Sequence, residues 1–458
     1  MQLPAQSVPV LAEKLSNQMP AVESPPDERV ADTLTVAAPA FRPDDQRPEF
    51  DDAVLAVLGI HRYESKRLRL YTDIPAEAAK PLPAVIDAAY DALSDYFGPL
   101  PPSRTGDEFQ MTGYLMQDEK RFREAGMIPV DLPSIEHGRH RRNEFWLREQ
   151  PYDYYRRHLL IHEATHCVMM YLPENQAPVW YLEGMAEHFG THRIHADDTL
   201  TFRAMPISPE AFAGFGRITL LRKATEDGGG RTMLKVMDYT AKEYLNPEPY
   251  AWSWAVCHFL DHHPRYVARF RELGKNQQPR AFAGVLETLL AEGGRDLATE
   301  WVLFITNLQY GYDADRAAIT FHPGTPWTNF NPRTAEIVAD RGWQSTRIRL
   351  EAHQRYEITA TGQFTLAQQP KPWVSESDGI SFRYFRGISL GKLLACVRDE
   401  DGPAGGSDDT MLRVVPIGSR GEFTTPVAGT LYLRLNDSWS ELADNAGRVN
   451  VSVRPVEK

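Results

Sequence analysis

Residues 158–188, HLLIHEATHCVMMYLPENQAPVWYLEGMAEH, decide how the larger part of the chain is read. His162 and His166 stand four residues apart with Glu163 beside the first, and residues 167 to 182 separate them from Glu183. At about 100° per residue, a helix sets both imidazoles on one face, a turn apart. Pro173 stops that helix, so it is read over 152–172. Pro178 and Gly190 bound a second helix over 178–190, on which Glu183 and Glu187 share a face. The stretch therefore predicts two consecutive helices, one presenting imidazoles and the other carboxylates.

This donor set suits zinc, which takes imidazole nitrogen and carboxylate oxygen and, in catalytic sites, keeps one position open. One of the two glutamates completes a His-His-Glu set. The other hydrogen-bonds a ligand imidazole and fixes its tautomer. Glu163 lies beside the ligand face, where its carboxylate can take a proton from water activated by the ion. A solvated acidic face is the alternative for EGMAE, but Trp180, Tyr181, Leu182, Met185 and Phe189 surround it with apolar bulk.

Working outward, residues 1–50 are rich in Pro, Asp and Glu without periodicity and predict an extended or disordered segment. From 51 the pattern alternates. KRLRLYTD, EFQMTGYLM and RNEFWLRE read as strands, and the segments ending at Gly98 and Gly126 as helices. EFQMTGYLM is expected to form the sheet edge along which an extended peptide pairs. Residues 208–310 are mainly helical with a loop at 226–231. From about 345, STRIRLEAH, RYEITATGQFTLA, ISFRYF, KLLACVRD, TMLRVVPIG, TLYLRLND and GRVNVSVRP predict a β-sandwich. The expected fold class is α+β: a domain over 51–330, made of a small mixed sheet and a mainly helical lobe, followed by an all-β sandwich over 345–458.

With 458 residues the chain exceeds one ordinary core. Its net charge of −12 argues against nucleic acid or an anionic membrane surface as the main partner. Cys167, Cys257 and Cys396 are odd in number and far apart, so no disulfide framework is implied. Runs such as WAVCHFL and WVLFI are far short of the roughly 20 residues of a membrane helix. The opening MQLPAQSVPVLAEKLSNQ lacks the basic and apolar regions of a signal peptide.

Together, HEATH and WYLEGMAE resemble the gluzincin class of zinc metallopeptidases, which includes thermolysin and the zinc aminopeptidases, and are most similar to less-characterised bacterial gluzincin-like proteins. The resemblance implies that His162, His166 and Glu183 bind zinc, with Glu187 supporting a ligand imidazole. Glu163 becomes the general base that activates a zinc-bound water and later passes its proton to the leaving amine. It also implies an oxyanion stabiliser downstream. PYAWSWAVCHFLDHHP puts forward Tyr250, with His258, His262 and His263 as competitors, the last two at an exposed helix end. The GxMEN signature of amine recognition is absent, so endo- and exopeptidase action both stay open.

The C-terminal region has its own clustered oxygen donors. Asp437, Asp444 and Asn445 lie on one loop, in a form that suits calcium or simply a polar turn. The segment resembles a bacterial calcium-dependent, galactose-specific lectin. That resemblance implies calcium held by Asp437, Asp444 and Asn445, with backbone oxygens from Glu441 and Leu366. Ser375 and Asp378 stand where that lectin has its sugar contacts, so calcium without sugar is the expectation, and a glycan is the weaker partner. The function expected is zinc-dependent hydrolysis of a peptide or protein substrate, with the sandwich for substrate or surface targeting and an extracellular or periplasmic location. The alternative is a non-catalytic zinc-containing protein that binds carbohydrate or protein.

Overall fold

A computed structural model describes residues 41–329, 331–402 and 409–456. Residues 1–40 of the expected disordered segment lie outside the described residues. Residues 41–50 have no regular element but are anchored. Gln46 and Asn143 exchange hydrogen bonds of 2.9 and 2.8 Å, and Phe50 packs edge-on against Tyr71 at 5.2 Å.

Five strands build the first sheet: β1 (His61–Glu64), β2 (Leu68–Thr72), β3 (Met111–Met116), β4 (Gly138–Arg141) and β5 (Glu144–Arg148), in the order β1-β2-β3-β5-β4. β2, β3 and β5 run parallel, and the outer strands antiparallel. The expectation that EFQMTGYLM lies at the edge is overturned, since β3 is the central strand and is buried at every position. MTGYLM carries no charge and is apolar on both faces, as a strand covered on both sides requires. The edge falls instead to the charged GRHR of β4, which a sheet rim tolerates.

Helix α1 (Leu82–Phe97) and helix α2 (Asp153–Met169) share a core with Leu68, Leu70, Met111, Phe145 and Leu147 on one face of the sheet. The opposite face stacks Tyr71 on Tyr114 and Tyr114 on Trp146, at 5.8 and 5.3 Å. That layer is closed by Leu55, Phe122, Met127 and Ile135. Because the sheet, α1 and the next helix all pack on α2, it is buried over nearly its whole length.

Helix α3 (Val179–Gly190) follows, then α4 (Arg217–Glu226), α5 (Pro247–His262) and α6 (Pro279–Asn307), the last kinked at Gly294. α3 crosses α5 closely at Gly184, where an added Cβ would meet Cys257 Sγ at 2.5 Å and the Ser253 carbonyl oxygen at 2.8 Å. The glycine in EGMAE thus lets α3 sit deep enough to present its glutamates to α2.

The remainder is an antiparallel sandwich, completing the α+β architecture expected. Its strands are β6 (Arg333–Val338), β7 (Gln344–Leu350), β8 (Arg355–Thr361), β9 (Leu393–Arg398), β10 (Arg420–Thr424), β11 (Gly429–Leu435) and β12 (Ala446–Pro455). One sheet runs β6-β12-β8-β10 and the other β7-β11-β9. Ile348, Ile358, Leu393, Leu431, Val449 and Val451 from both sheets meet in one core. β6 begins ahead of the boundary expected at 345, and TMLRVVPIG gives only a 3₁₀ turn (Asp409–Leu412) and a two-residue strand.

Candidate metal centre

α2 and α3 bring His162, His166 and Glu183 together as their spacing predicts. His162 Nε2 and His166 Nε2 are 3.1 Å apart, and Glu183 Oε2 lies 3.2 Å from the latter and 3.5 Å from the former. Bonds of about 2.0–2.1 Å to a tetrahedral ion would set its ligand atoms about 3.3 Å apart, so these three donors fit one face of a zinc tetrahedron. The chemistry agrees, because two imidazole nitrogens and a carboxylate aimed at one another form a cradle for a cation. Burial lowers the His162 pKa, but hydrogen bonding to Glu183 and the charges of Glu187 and Glu163 outweigh it and hold the group at about 9. The same site pulls Glu183 far below the usual carboxylate range against the opposing effect of burial.

Glu187 stands behind His162 rather than in the triangle. Its Oε1 is 3.5 Å from His162 Nδ1, and Oε2 is 3.3 Å from His158 Nε2. Arg217, at the start of α4, donates to both oxygens at 2.9 and 3.1 Å. Burial opposes ionisation of Glu187, yet Arg217 and His158 hold it well below the ordinary range. The fork from Arg217 fixes this carboxylate, whose charge faces the His162 ring. Arg217 and His158 escaped the sequence reading. The former has no signal in RITLLRK, whereas the latter repeats the four-residue spacing one turn ahead of His162.

Glu163 points to the other side, toward the sheet edge. His140 of β4 donates from Nδ1 to Glu163 Oε2 at 3.1 Å, and its ring stacks on His166 at 4.3 Å. An ionised carboxylate only accepts, so Nδ1 carries the proton in this bond. Gly138 supplies the rest of the seat, because a Cβ there would meet Glu163 Oε1 at 2.3 Å. Burial pushes the Glu163 pKa up, while His140 and His162 bring it below the usual value, so the group stays ionised at neutral pH. His140 was missed because HGRHRR carries no spacing signal that ties it to HEATH.

Tyr250, in the first turn of α5, lies with its ring 6.2 Å from that of His162 and 5.7 Å from the Arg217 guanidinium. Burial and the charges of Glu183, Glu187 and Glu163 hold its phenol well above the usual value, so it remains a hydrogen-bond donor. The competing histidines are elsewhere. His263 is buried and bonded to Glu300 at 2.9 Å, contrary to the expected exposed position, because α6 folds back over the end of α5. His258 and His262 group with His188, which bonds Asp261 at 3.1 Å. The rings of His258 and His262 stack at 4.1 Å and 22°, so their in-plane lone pairs run side by side rather than converging on an ion. Arg203 and Arg271 also hold Asp261, which disfavours a cation there.

In the sandwich, Asp437 and Asn445 are buried together, with Asn445 Nδ2 donating to Asp437 Oδ2 at 2.8 Å. Asp437 Oδ1 accepts from the Ser438 amide at 2.6 Å. Glu441 turns its carboxylate to Arg383 at 2.7 and 2.8 Å, and the Asp444 carbonyl accepts from Gln368 at 3.3 Å. Leu366 sits on the neighbouring loop, its amide bonded to the Trp373 carbonyl at 2.9 Å. Asp378 is engaged by the Ser419 amide at 2.9 Å.

No protein-family profile matches the chain, and no curated protein matches it. Among solved structures, the chain is similar to the N-terminal domain of EclA, a PllA-like lectin, at 19% identity and a TM-score of 0.21. That match covers 27% of this chain and 95% of the other. It is also similar to PliG of Aeromonas hydrophila, a periplasmic inhibitor of g-type lysozyme, at 9% identity and a TM-score of 0.18, covering 30% and 97%. Among the described residues, no helix is long and apolar enough to cross a membrane.

Proposed function

We propose that this chain is a zinc-dependent peptidase of the gluzincin type. The observation that carries the reading is the triangle of His162, His166 and Glu183 with edges of 3.1–3.5 Å, flanked by an ionised Glu163 that takes no part in it. A purely structural zinc site usually closes with a fourth protein ligand and has no use for such a carboxylate. Zinc bound there would supply a Lewis acid that acidifies water and polarises the scissile carbonyl. Glu163 accepts a proton from the attacking water as its oxygen bonds to the carbonyl carbon. It then delivers that proton to the amine nitrogen as the C–N bond breaks. Tyr250, held neutral, is the donor assigned to the developing oxyanion.

The test is turnover of a broad peptide library by zinc-loaded protein, by the Glu163→Gln variant and by chelated protein. Cleavage by the first alone is the expected result. Turnover that survives Glu163→Gln overturns the mechanism, and no turnover at full zinc occupancy leaves a non-catalytic zinc-containing binding protein. The sandwich is assigned to substrate or surface targeting, with calcium at Asp437, Asp444 and Asn445 and backbone help from Glu441 and Leu366. The support is a buried Asp437 whose pKa burial raises to about 6, with Glu441 adding to the rise. Calcium should raise the melting temperature, and an unchanged melting curve removes that site. The extracellular or periplasmic setting rests on the resemblance of the sandwich sequence to a calcium-dependent lectin.

A further inference from the structure

The free edge of the first sheet lies against the candidate catalytic carboxylate and is strongly basic. In β4 and its flanks, residues 137–142 read HGRHRR, without a carboxylate, in a chain of net charge −12. The Arg148 amide bonds the His137 carbonyl, so alternation turns the main chain of Arg139 and Arg141 inward to β5. The N–H and C=O groups of Gly138 and His140 are left facing outward beside Glu163. Side chains alternate as well. Gly138 and His140 face α2, whereas Arg139 and Arg141 lie on the opposite face, opposite Trp146 and Glu144. Arg148 shares that second face.

The charges on this face are unevenly neutralised. Arg141 pairs with Asp131 at 2.6 Å, and Glu144 accepts from the Tyr114 hydroxyl at 2.9 Å. Arg139 and Arg148 are exposed and have no ion-pair partner among the described residues. The nearest upstream carboxylate on the chain, Glu136, precedes the strand. An extended chain laid along β4 places every second side chain next to Arg139 and Arg141, within about 5.5 Å between Cβ atoms. We propose that the substrates selected at this edge are peptides carrying Asp or Glu at the positions that face away from α2, with Arg139 and Arg148 as the selecting groups. This rests on the metallopeptidase reading, since it takes the edge as the substrate's seat.

The experiment separates selection from chemistry. Fluorescein-labelled Ala/Gly peptides with Glu, Gln or Lys at alternate positions are titrated against the zinc-loaded full chain carrying Glu163→Gln, and against chelated wild type as a second binder. The wild type's turnover of the same peptides is measured in parallel. The Glu peptide is expected to bind about tenfold more tightly than the Lys peptide at low salt, with the ratio shrinking as salt is added. Arg139→Ser with Arg148→Ser should bring the ratio close to one, and Arg139→Glu should invert it. Equal binding of the Glu and Lys peptides, or a ratio untouched by these substitutions, overturns the proposal. Turnover of the Gln peptide alongside that outcome leaves the peptidase reading standing. Selective binding without turnover of any peptide keeps the acidic selectivity and removes the peptidase.

Discussion

Glu163 is gripped from two sides, by the His140 proton on one oxygen and the bare backbone of Gly138 against the other. Replacing it with Gln keeps the shape and removes the carboxylate proposed as the base. Glu163→Gln should therefore lower kcat by about 10²–10⁴-fold while zinc content, measured by elemental analysis, stays at wild-type level. Glu183→Ala should lose the metal, whereas Glu187→Ala should weaken binding by about 10–100-fold, because it only steers His162. Competition with a chelating dye distinguishes them, and the reverse order would reassign the third ligand. The His162–His166–Glu183 grouping was legible because four-residue spacing on a helix is local, whereas His140 reaches Glu163 only through the strand order of the sheet. A different residue sets a pH response. His192 donates from Nδ1 to the Gly190 carbonyl at 2.9 Å and accepts from Arg157 at 3.3 Å, so both nitrogens are committed to the neutral form. Burial, opposed by the Gly190 bond, lowers its pKa to about 3. The unfolded chain then binds the extra proton, so this contribution is complete above about pH 6.5 and lost as pH falls toward 3. Urea midpoints should show His192→Gln with a shallower pH slope across that window, by up to about 1.4 kcal/mol per pH unit. Identical slopes would refute it.

At the scale of elements, the pair of helices that carries the His162–His166–Glu183 triangle depends on a close crossing. Gly184 sits against Ser253 and Cys257 of α5, where an added methyl meets main chain that cannot swing away. Gly184→Ala should cost about 1–3 kcal/mol in urea unfolding and also weaken zinc binding, since displacing α3 carries Glu183 off the triangle. A stability loss with unchanged zinc affinity would show that α3 moves without its glutamate. The helices themselves were readable from Pro173, Pro178 and Gly190. Strand order was not, because MTGYLM announces a buried strand without naming its neighbours. Nor does GRHR, four residues with no apolar side chain, announce a strand at all. It becomes one only because β5 offers it a ladder. The edge was thus assigned to β3 by a sequence logic that could see composition but not adjacency.

At the scale of the whole molecule, the helical region and the sandwich share one sheet, and that changes what its strands look like. β9 and β11 are buried at every position, although a two-layer sandwich should show alternation. Their inner residues Leu393, Ala395, Leu431 and Leu433 meet the other sheet, while Leu394, Cys396 and Tyr432 join Trp301, Phe304 and Tyr312 of the helical region. The sheet is therefore a middle layer, which is why LLACV and TLYL carry apolar residues at successive positions. Trp439 is the keystone of the junction. It stacks on Tyr312 at 5.8 Å, lies beneath the Arg434 guanidinium at 3.8 Å, and its carbonyl accepts from the Asp313 amide at 2.9 Å. Arg434 itself is buried, and burial pulls its pKa down to about 10 despite Asp437 nearby; its guanidinium donates to the Leu435 and Asp437 carbonyls at 3.2 and 2.7 Å and lies over the Trp439 ring. Trp439→Ala should remove about 3–5 kcal/mol and leave Arg434 over a void. Because β9 and β11 belong to both cores, the loss should appear as one transition moved to lower temperature, with far-ultraviolet circular dichroism and tryptophan fluorescence coincident. Two separated transitions in the wild type, with only the later one shifted by the substitution, would show that the helical region and the sandwich stand independently. The shared layer would then contribute contact without cooperativity.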